Sequence, residues 1–267
     1  MICGAGMGSE WLYGVSQWIV LPVTTLIIYG AAEGGRLFAR KFGDQDPETR
    51  KQITTFEAAL VGLLSLMIGF TFSLALSQFE ARKDAVMVEA NAISTVAQRA
   101  SLLEAKQAAE AAPLARQYLD ARLAMSPGSS DEQKLLQDTA ALDRIVAGLW
   151  RVADEAFAAD TRSAAASLFA QAVNALSDAE ERRTTADRNH VAAAVFFLLG
   201  AIAFVVLGFA GYASGLAGAR RVWPAAIMAL VVASIITLVM DLDRPGEGLV
   251  KVSQQPLLDV RADLNLK

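Results

Sequence analysis

The sequence predicts an all-α fold of four transmembrane helices, with a membrane-standing helical bundle inserted between the second and the third. Three observations predict it. Apolar residues make up 54% of the 267 positions, four long windows carry no charged residue, and the segment between the second and third windows repeats apolar residues every three or four positions. A stretch of about 18 uncharged apolar residues marks a helix that can cross a bilayer. The four windows are Trp11–Ala32, Ala58–Phe79, Val191–Ala219 and Val222–Met240.

These windows divide the chain into four parts. Residues 1–79 hold the first two transmembrane helices and a basic linker, and residues 80–190 form the soluble bundle. Residues 191–240 hold the last two transmembrane helices, and residues 241–267 form an acidic turn and a C-terminal tail. We expect the bundle to be continuous with the second and third transmembrane helices.

The first window is expected to be a retained helix and not a cleaved leader. The residues before Trp11 include no Lys or Arg, whereas a secretory signal carries a basic segment there. The linker that follows Ala32 is basic, and we expect it to turn at Asp44, Asp46 and Pro47.

One long helix is expected to run from Phe56 to about Leu103, starting in lipid and continuing into water. Its membrane half carries no charge between Glu57 and Glu80, and its second half contains neither Gly nor Pro. Apolar residues recur in the second half at the spacing of a packed helix face. They are Val86, Ala90, Ile93, Ala97 and Ala100.

Small and hydroxyl-bearing residues form a narrow stripe along the membrane half of this helix. At about 100° per residue they share one face, which Glu80 and Asp84 extend beyond the membrane. One interpretation is close helix packing, because small residues let backbones approach in lipid. The other is a pore lining of hydroxyl groups and exposed backbone, with Leu66 and Phe70 as a hydrophobic constriction. The stripe consists of Gly62, Ser65, Gly69, Ser73 and Ser77.

Three further helices are expected in the bundle. The first begins at Pro113, the second is capped by Ser130 with Gln133 completing a capping box, and the third begins near Ser163. The alternating three- and four-residue spacing of their apolar residues predicts knobs-into-holes packing. On the second and third of these helices the apolar residues are Leu135, Thr139, Leu142, Val146, Leu149, Ala153 and Phe157, then Phe169, Ala172, Leu176 and Ala179.

The third window is rich in glycine near its end, a pattern typical of closely packed membrane helices or of a turn. The glycines are Gly208, Gly211, Gly215 and Gly218.

An acidic turn follows the fourth window, where Asp241, Asp243 and Arg244 precede a Pro-Gly pair at 245–246. Two carboxylates there can form a site for a hard cation, although the spacing does not match an EF-hand loop. The other interpretation is a salt-bridged turn that fixes the tail against the bundle, with Arg244 or Arg82 as the cationic partner.

The sequence offers little for catalysis or metal chemistry. Cys3 is the only cysteine and His190 the only histidine, so neither an intrachain disulfide nor a cluster of His and Cys ligands can form. We expect His190 to be structural. No carboxylate lies inside a window, which disfavours a proton-coupled carrier, and a net charge of −4 gives no sign of nucleic-acid binding. We therefore expect no enzymatic activity and no cofactor.

Two stretches resemble the bacterial bestrophin-like domain family. They are FTFSLALSQFEARKDAVMVEANAIS at positions 70–94 and DLDRPGEGLVKVSQQPLLDV at positions 241–260. The resemblance implies kinship with bestrophins, which are pentameric anion channels with four spans per subunit, a pore lined by the second helix and an acidic, calcium-binding clasp after the fourth.

Carried over to this chain, the resemblance makes Gly62, Ser65, Gly69, Ser73 and Ser77 the pore face, with Phe70 near a narrow neck, and makes Asp241, Asp243 and Arg244 candidates for an ion-binding or gating turn. The sequence departs from the family pattern in two respects. Phe70 and Phe72 fall on different helix faces, and the turn lacks the dense run of acids of a calcium clasp.

Two functions follow as hypotheses. The first is a homo-oligomeric, pentameric channel in the bacterial inner membrane that passes small anions along the second helices. The alternative is a membrane-anchored interaction or sensory module, in which the bundle binds a partner and nothing is conducted.

Overall fold

The computed structural model describes residues 17–43, 46–125, 132–218, 222–244 and 250–265, and the regular structure in these ranges is helical. Cys3, the start of the first window, Asp44, the Ser130 cap and the Pro-Gly pair lie outside the described residues. The helices are α1 (Gln17–Phe42), α2 (Pro47–Ala100), α3 (Ala105–Ala124), α4 (Glu132–Ala159), α5 (Ala164–Arg188), α6 (Ala193–Leu216), α7 (Val222–Asp243) and α8 (Gln255–Asn265).

The chain divides into two compact units, each made of two separated segments. The membrane unit comprises Met1–Ser77 and His190–Arg244, and the bundle unit comprises Gln78–Asn189 and Pro245–Lys267. Among the described residues, four stretches of helix are long and apolar enough to cross a membrane. This confirms the predicted fold class. The stretches are Trp18–Phe42, Glu48–Ala100, Ala164–Leu216 and Trp223–Asp243.

Helix α1 ends at Phe42 and not at Ala32, so most of the predicted basic linker is helical. The helix that contains the first window therefore continues beyond it and carries Glu33 and Arg36. Glu33 is paired within its own helix, because Arg36 Nε donates to its Oε2 at 2.8 Å and the Tyr29 hydroxyl donates to its Oε1 at 3.3 Å. Pairing lowers the cost of a charge in an apolar setting.

The membrane unit packs α1 against α6 through glycine. A methyl group on Gly35 would lie 1.9 Å from the Gly208 carbonyl oxygen, and one on Gly211 would lie 1.9 Å from that of Ala32. These backbones are in direct contact, which only small residues permit. Gly218, just beyond α6, has φ +67°, a conformation that favours glycine. Of the glycines predicted to pack closely or to form a turn, Gly211 and Gly215 are closely packed against α1 and Gly218 lies in a turn.

Helix α2 is continuous from Pro47 to Ala100, as predicted, although it begins before Phe56 and ends before Leu103. Its start is capped by Asp46, whose Oδ2 accepts a hydrogen bond from the Thr49 amide at 3.2 Å.

The bundle unit encloses one apolar core to which α2, α3, α4, α5 and α8 contribute. The predicted seam of α5 is fully buried, and that of α4 is buried at Leu142, Leu149 and Ala153, whereas Leu135 is exposed. Helix α3 begins at Ala105, so the prediction that it starts at Pro113 is wrong. Gln107 and Ala111, in the turns that precede Pro113, are buried. Their packing stabilises the helix on the N-terminal side of the proline.

A short break lies within the stretch Ala164–Leu216, because α5 ends at Arg188 and α6 starts at Ala193. Arg82 holds the end of α5: its Nη2 donates to the Asn189 carbonyl at 3.0 Å and its Nε to that of Ala186 at 3.3 Å. A cation suits the carbonyl end of a helix, which carries a partial negative charge.

Candidate functional site

The predicted pore residues lie together on the exposed side of α2. Gly62, Ser65, Gly69, Ser73 and Ser77 are all exposed in the single chain, and Phe70 is 57% exposed beside them. The residues that this part of α2 buries are Leu64, Thr71 and Ala75. Ser73 is two positions from both Thr71 and Ala75, which at about 100° per residue places it on nearly the opposite face.

The glycines of this stripe differ from Gly211 and Gly215 of α6, which are in close contact with α1. Within the described part of the chain, no heavy atom outside the helix lies within 4 Å of a methyl group placed on Gly62 or Gly69. Close packing between helices of one protomer therefore does not explain the stripe, as it does explain Gly35 and Gly211.

The side-chain hydroxyl groups of Ser65 and Thr71 donate hydrogen bonds to backbone carbonyls of α2 itself. Ser65 Oγ donates to the Val61 carbonyl at 2.9 Å, and on the buried face Thr71 Oγ1 donates to that of Met67 at 2.7 Å. A serine hydroxyl on an exposed helix face can rotate from such a carbonyl toward an anion, because both arrangements satisfy its proton.

The predicted terminal turn is buried. Asp241, Asp243 and Arg244 are 1%, 0% and 6% exposed. Asp243 Oδ1 accepts a hydrogen bond from the Val191 amide at 2.9 Å, and the Asp243 carbonyl lies 3.1 Å from His190 Nδ1. Asp243 thus joins the end of α7 to the chain just before α6.

The described part of this turn makes a backbone contact through Asp243. One carboxylate oxygen of Asp243 accepts a hydrogen bond from a backbone amide. Across the described ranges, no group of three or more His, Cys, Asp or Glu residues is placed to hold a metal ion. A hard cation such as calcium needs six to eight oxygen ligands.

A charged cluster in the bundle was not predicted. Glu89 of α2 is 0% exposed and binds groups from two other helices. The Tyr118 hydroxyl donates to its Oε1 at 2.7 Å, Arg122 Nε lies 2.9 Å from Oε1, and Arg183 Nη1 donates to Oε2 at 2.6 Å. Such charge-assisted bonds are short and strong, and together they satisfy the buried carboxylate.

The sequence does carry a signal for this cluster. Glu89 falls between Val86 and Ile93 on the face that the apolar spacing predicts to be buried. A charged residue on such a face requires partners, and Arg122 and Arg183 are the arginines that supply them.

Two further acidic residues of α5, Glu180 and Asp187, interact electrostatically with members of this cluster. Burial raises the pKa of Glu180 to about 7, an effect that Arg122 opposes and that Asp143 and Glu89 reinforce. Burial also raises the pKa of Asp187, although Arg183, Arg122 and Arg82 lower it. For Tyr118, burial and then the charge of Glu89 raise the pKa, so its phenol stays a hydrogen-bond donor.

The model of the Bestrophin-like domain family matches residues 26–257. A crystal structure of a bacterial bestrophin homolog from Klebsiella pneumoniae superposes with a TM-score of 0.66 at 12% identity, covering 93% of this chain and 97% of that one. A point mutant of the same homolog gives 0.64 at 13% identity, covering 94% and 98%. At these identities the likeness concerns the fold. A search of curated proteins gave no match.

Proposed function

This chain belongs to the Bestrophin-like domain family, and from that membership we propose that it forms a homo-oligomeric ion channel, a pentamer in which α2 lines a pore for small anions. One observation carries the proposal. The Gly/Ser stripe of α2 is exposed, opposite the buried face of the same helix, and the described part of the protomer leaves Gly62 and Gly69 uncovered.

The chemistry of the stripe fits water better than lipid. Elsewhere α1 and α6 expose large apolar side chains such as Trp18, Leu26 and Phe197, which suit lipid. A face of glycine and serine gains little from lipid, whereas hydroxyl donors can replace part of the hydration shell of an ion. Ring symmetry would bring five copies of the stripe to one axis.

The proposed preference for anions over cations rests on the charge of α2. Between Gly62 and Ser77 the helix carries no carboxylate. Serine hydroxyls offer protons to a chloride-sized anion, and carboxylate rings are the usual means of favouring cations. Phe70 and Leu66, both exposed beside the stripe, would supply the hydrophobic constriction.

For the terminal turn we propose a role in gating through position and not through a cation. Asp241, Asp243 and Arg244 would hold the end of α7 so that α6 and α7 move as one body. The site of action would be the inner membrane of a bacterium, with the lipid bilayer and further copies of the chain as partners.

Cysteine accessibility tests the pore. Cys3 is first replaced by Ser, and Ser73→Cys is compared with Leu74→Cys, its exposed neighbour about 100° around the helix. In liposomes that conduct chloride, a charged, water-soluble thiol reagent should block flux through Ser73→Cys by roughly tenfold or more and leave Leu74→Cys unchanged, because a modified residue in a constriction obstructs ions.

If the thiol reagent reacted equally with both cysteines, or did not react with the cysteine at position 73, the proposal that the stripe faces water would be contradicted. A membrane-anchored interaction module, with no conduction at any subunit number, would then be the better account.

A further inference from the structure

Three helix ends of the membrane unit meet in one small apolar cluster. Ala39 of α1, Ile53 of α2 and Leu216 of α6 are buried together there. Gly43, just after α1, packs against the same cluster, because a methyl group placed on it would overlap the Leu216 side chain. Arg50 of α2 donates a hydrogen bond to the Leu216 carbonyl at the end of α6. These contacts hold the three helix ends together.

Basic side chains lie at the edge of this cluster. Arg40 directly follows Ala39, and Lys51 is two positions from Ile53. Arg40, Lys41 and Lys51 are all exposed, and none of the three forms an ion pair with another described residue. We call these three residues the basic rim.

The acids near the basic rim do not neutralise it. Glu33 binds Arg36 of its own helix, with Nε 2.8 Å from Oε2, and Asp46 accepts a hydrogen bond from the Thr49 amide. Glu48 is exposed in the first turn of α2, where a carboxylate suits the partial positive charge of a helix start. By sequence, residues 33–51 and 217–221 hold seven Lys and Arg against four Asp and Glu. This end of the membrane unit is therefore positive, whereas the whole chain has a net charge of −4.

Exposed aromatic side chains accompany the basic rim. Phe38 and Phe42 of α1 are 58% and 64% exposed, and Trp223, at the start of α7, is 79% exposed. Lys41 Nζ lies 5.2 Å from the centre of the Phe42 ring. Aromatic rings beside cations suit the headgroup level of a membrane, where the rings contact acyl chains and the cations contact phosphates.

We propose that the basic rim binds the phosphate groups of anionic phospholipids. Arg40 can hold two phosphate oxygens at once, and Lys41 and Lys51 add point charges from two different helices. The exposed rings favour a lipid over a free phosphate ion, because only a lipid brings acyl chains for Phe38 and Phe42 to contact. The site belongs to the membrane unit and does not depend on the proposed channel function.

Binding of phosphatidylglycerol to the full-length protein tests the site. Protein in an uncharged detergent is titrated with phosphatidylglycerol and, in parallel, with zwitterionic phosphatidylcholine, and native mass spectrometry counts the bound lipids. We expect phosphatidylglycerol to bind roughly tenfold more tightly than phosphatidylcholine, because each cation near an anionic headgroup strengthens binding about fivefold. Raising the salt concentration from about 50 mM to about 300 mM should weaken this preference.

The double variant Arg40→Gln, Lys41→Gln should lose most of the preference for phosphatidylglycerol. The matched control is Lys106→Gln, Arg144→Gln, which removes the same two charges from exposed positions of the bundle and should bind both lipids as the wild type does. Lys51→Gln covers the case in which the double variant does not fold, and it should lower the preference by roughly fivefold.

A wild type that binds both lipids equally would overturn the proposal, and so would a preference that persists in both rim variants or falls equally in the bundle control. Inorganic phosphate at about 10 mM is the last arm, at constant ionic strength. Displacement of phosphatidylglycerol by this ion would overturn the assignment to a lipid and indicate a site for soluble anions. Retention of the lipid supports it.

Discussion

Glycines that look alike in the sequence occupy two different environments in the structure. Gly211 of α6 touches the backbone of Ala32 on α1, whereas Gly69 of α2 faces open space in the described part of the chain. Both lie four residues or fewer from another small residue, so spacing alone does not separate a packing face from an exposed one. The partner helix separates them, and it comes from a distant part of the sequence.

Gly211→Ala should destabilise the protein by about 1–3 kcal/mol, because the new methyl group would lie 1.9 Å from the Ala32 carbonyl oxygen and the helices would have to separate. Gly69→Ala is the control. It has room for the methyl group and gains helix propensity, so its Tm in detergent should equal or exceed that of the wild type. A loss of stability in Gly69→Ala as large as in Gly211→Ala would show that the stripe is packed after all.

Single residues also show what sequence reasoning could not supply. The ion-binding or gating role of Asp241, Asp243 and Arg244 stays a prediction. What the structure adds is the bond from Asp243 to the Val191 amide, a contact that no local spacing implies. Glu89 was discoverable as a charge on a buried face, but its arginine partners lie on other helices.

At the scale of elements, the long charge-free windows and the uninterrupted α2 were predictable because length and hydropathy determine them locally. The break before α6 was not, because Arg82, far away in the chain, stabilises the end of α5. Helix α8 was missed for a related reason. Only two of its residues, Leu257 and Val260, are buried, so its apolar pattern is short.

Helix α8 is nonetheless part of the bundle core. Leu257 is fully buried in it, and Arg116 of α3 donates to the Leu264 carbonyl at 2.9 Å. Leu257→Ala should therefore cost about 2–5 kcal/mol of stability through the cavity it leaves. The adjacent Leu258 is 44% exposed, so Leu258→Ala should change the Tm little. Similar losses in both variants, measured by thermal unfolding, would show that α8 does not pack in this register.

At the scale of the whole molecule, the four apolar stretches and the helical bundle match what the sequence predicts, whereas the number of subunits is a property that one chain does not reveal. The exposed stripe of α2 bears on that number. Small residues let helices approach closely in lipid, so we expect other copies of the chain, or water, to meet this face.

Native mass spectrometry of protein in detergent or nanodiscs should find five copies, and particle imaging should place the second helices at the centre of the ring. A closed ring gives every copy the same environment for its stripe, which is why a symmetric assembly is expected. A monomer or a dimer would remove the central pore, and capture of a partner by the bundle would become the experiment to perform.

Segments of the two units alternate along the chain, and this order affects how the protein is assembled during its synthesis. Helix α1 packs against α6, and the bundle core is completed by α8, so each unit joins an early segment to a late one. At about 5–20 residues per second, α1 enters the membrane roughly 10–30 s before α6 leaves the ribosome. During that time the face of α1 around Gly35 lacks its α6 partner, so we expect a chain that stops before α6 to be degraded faster than the full-length protein.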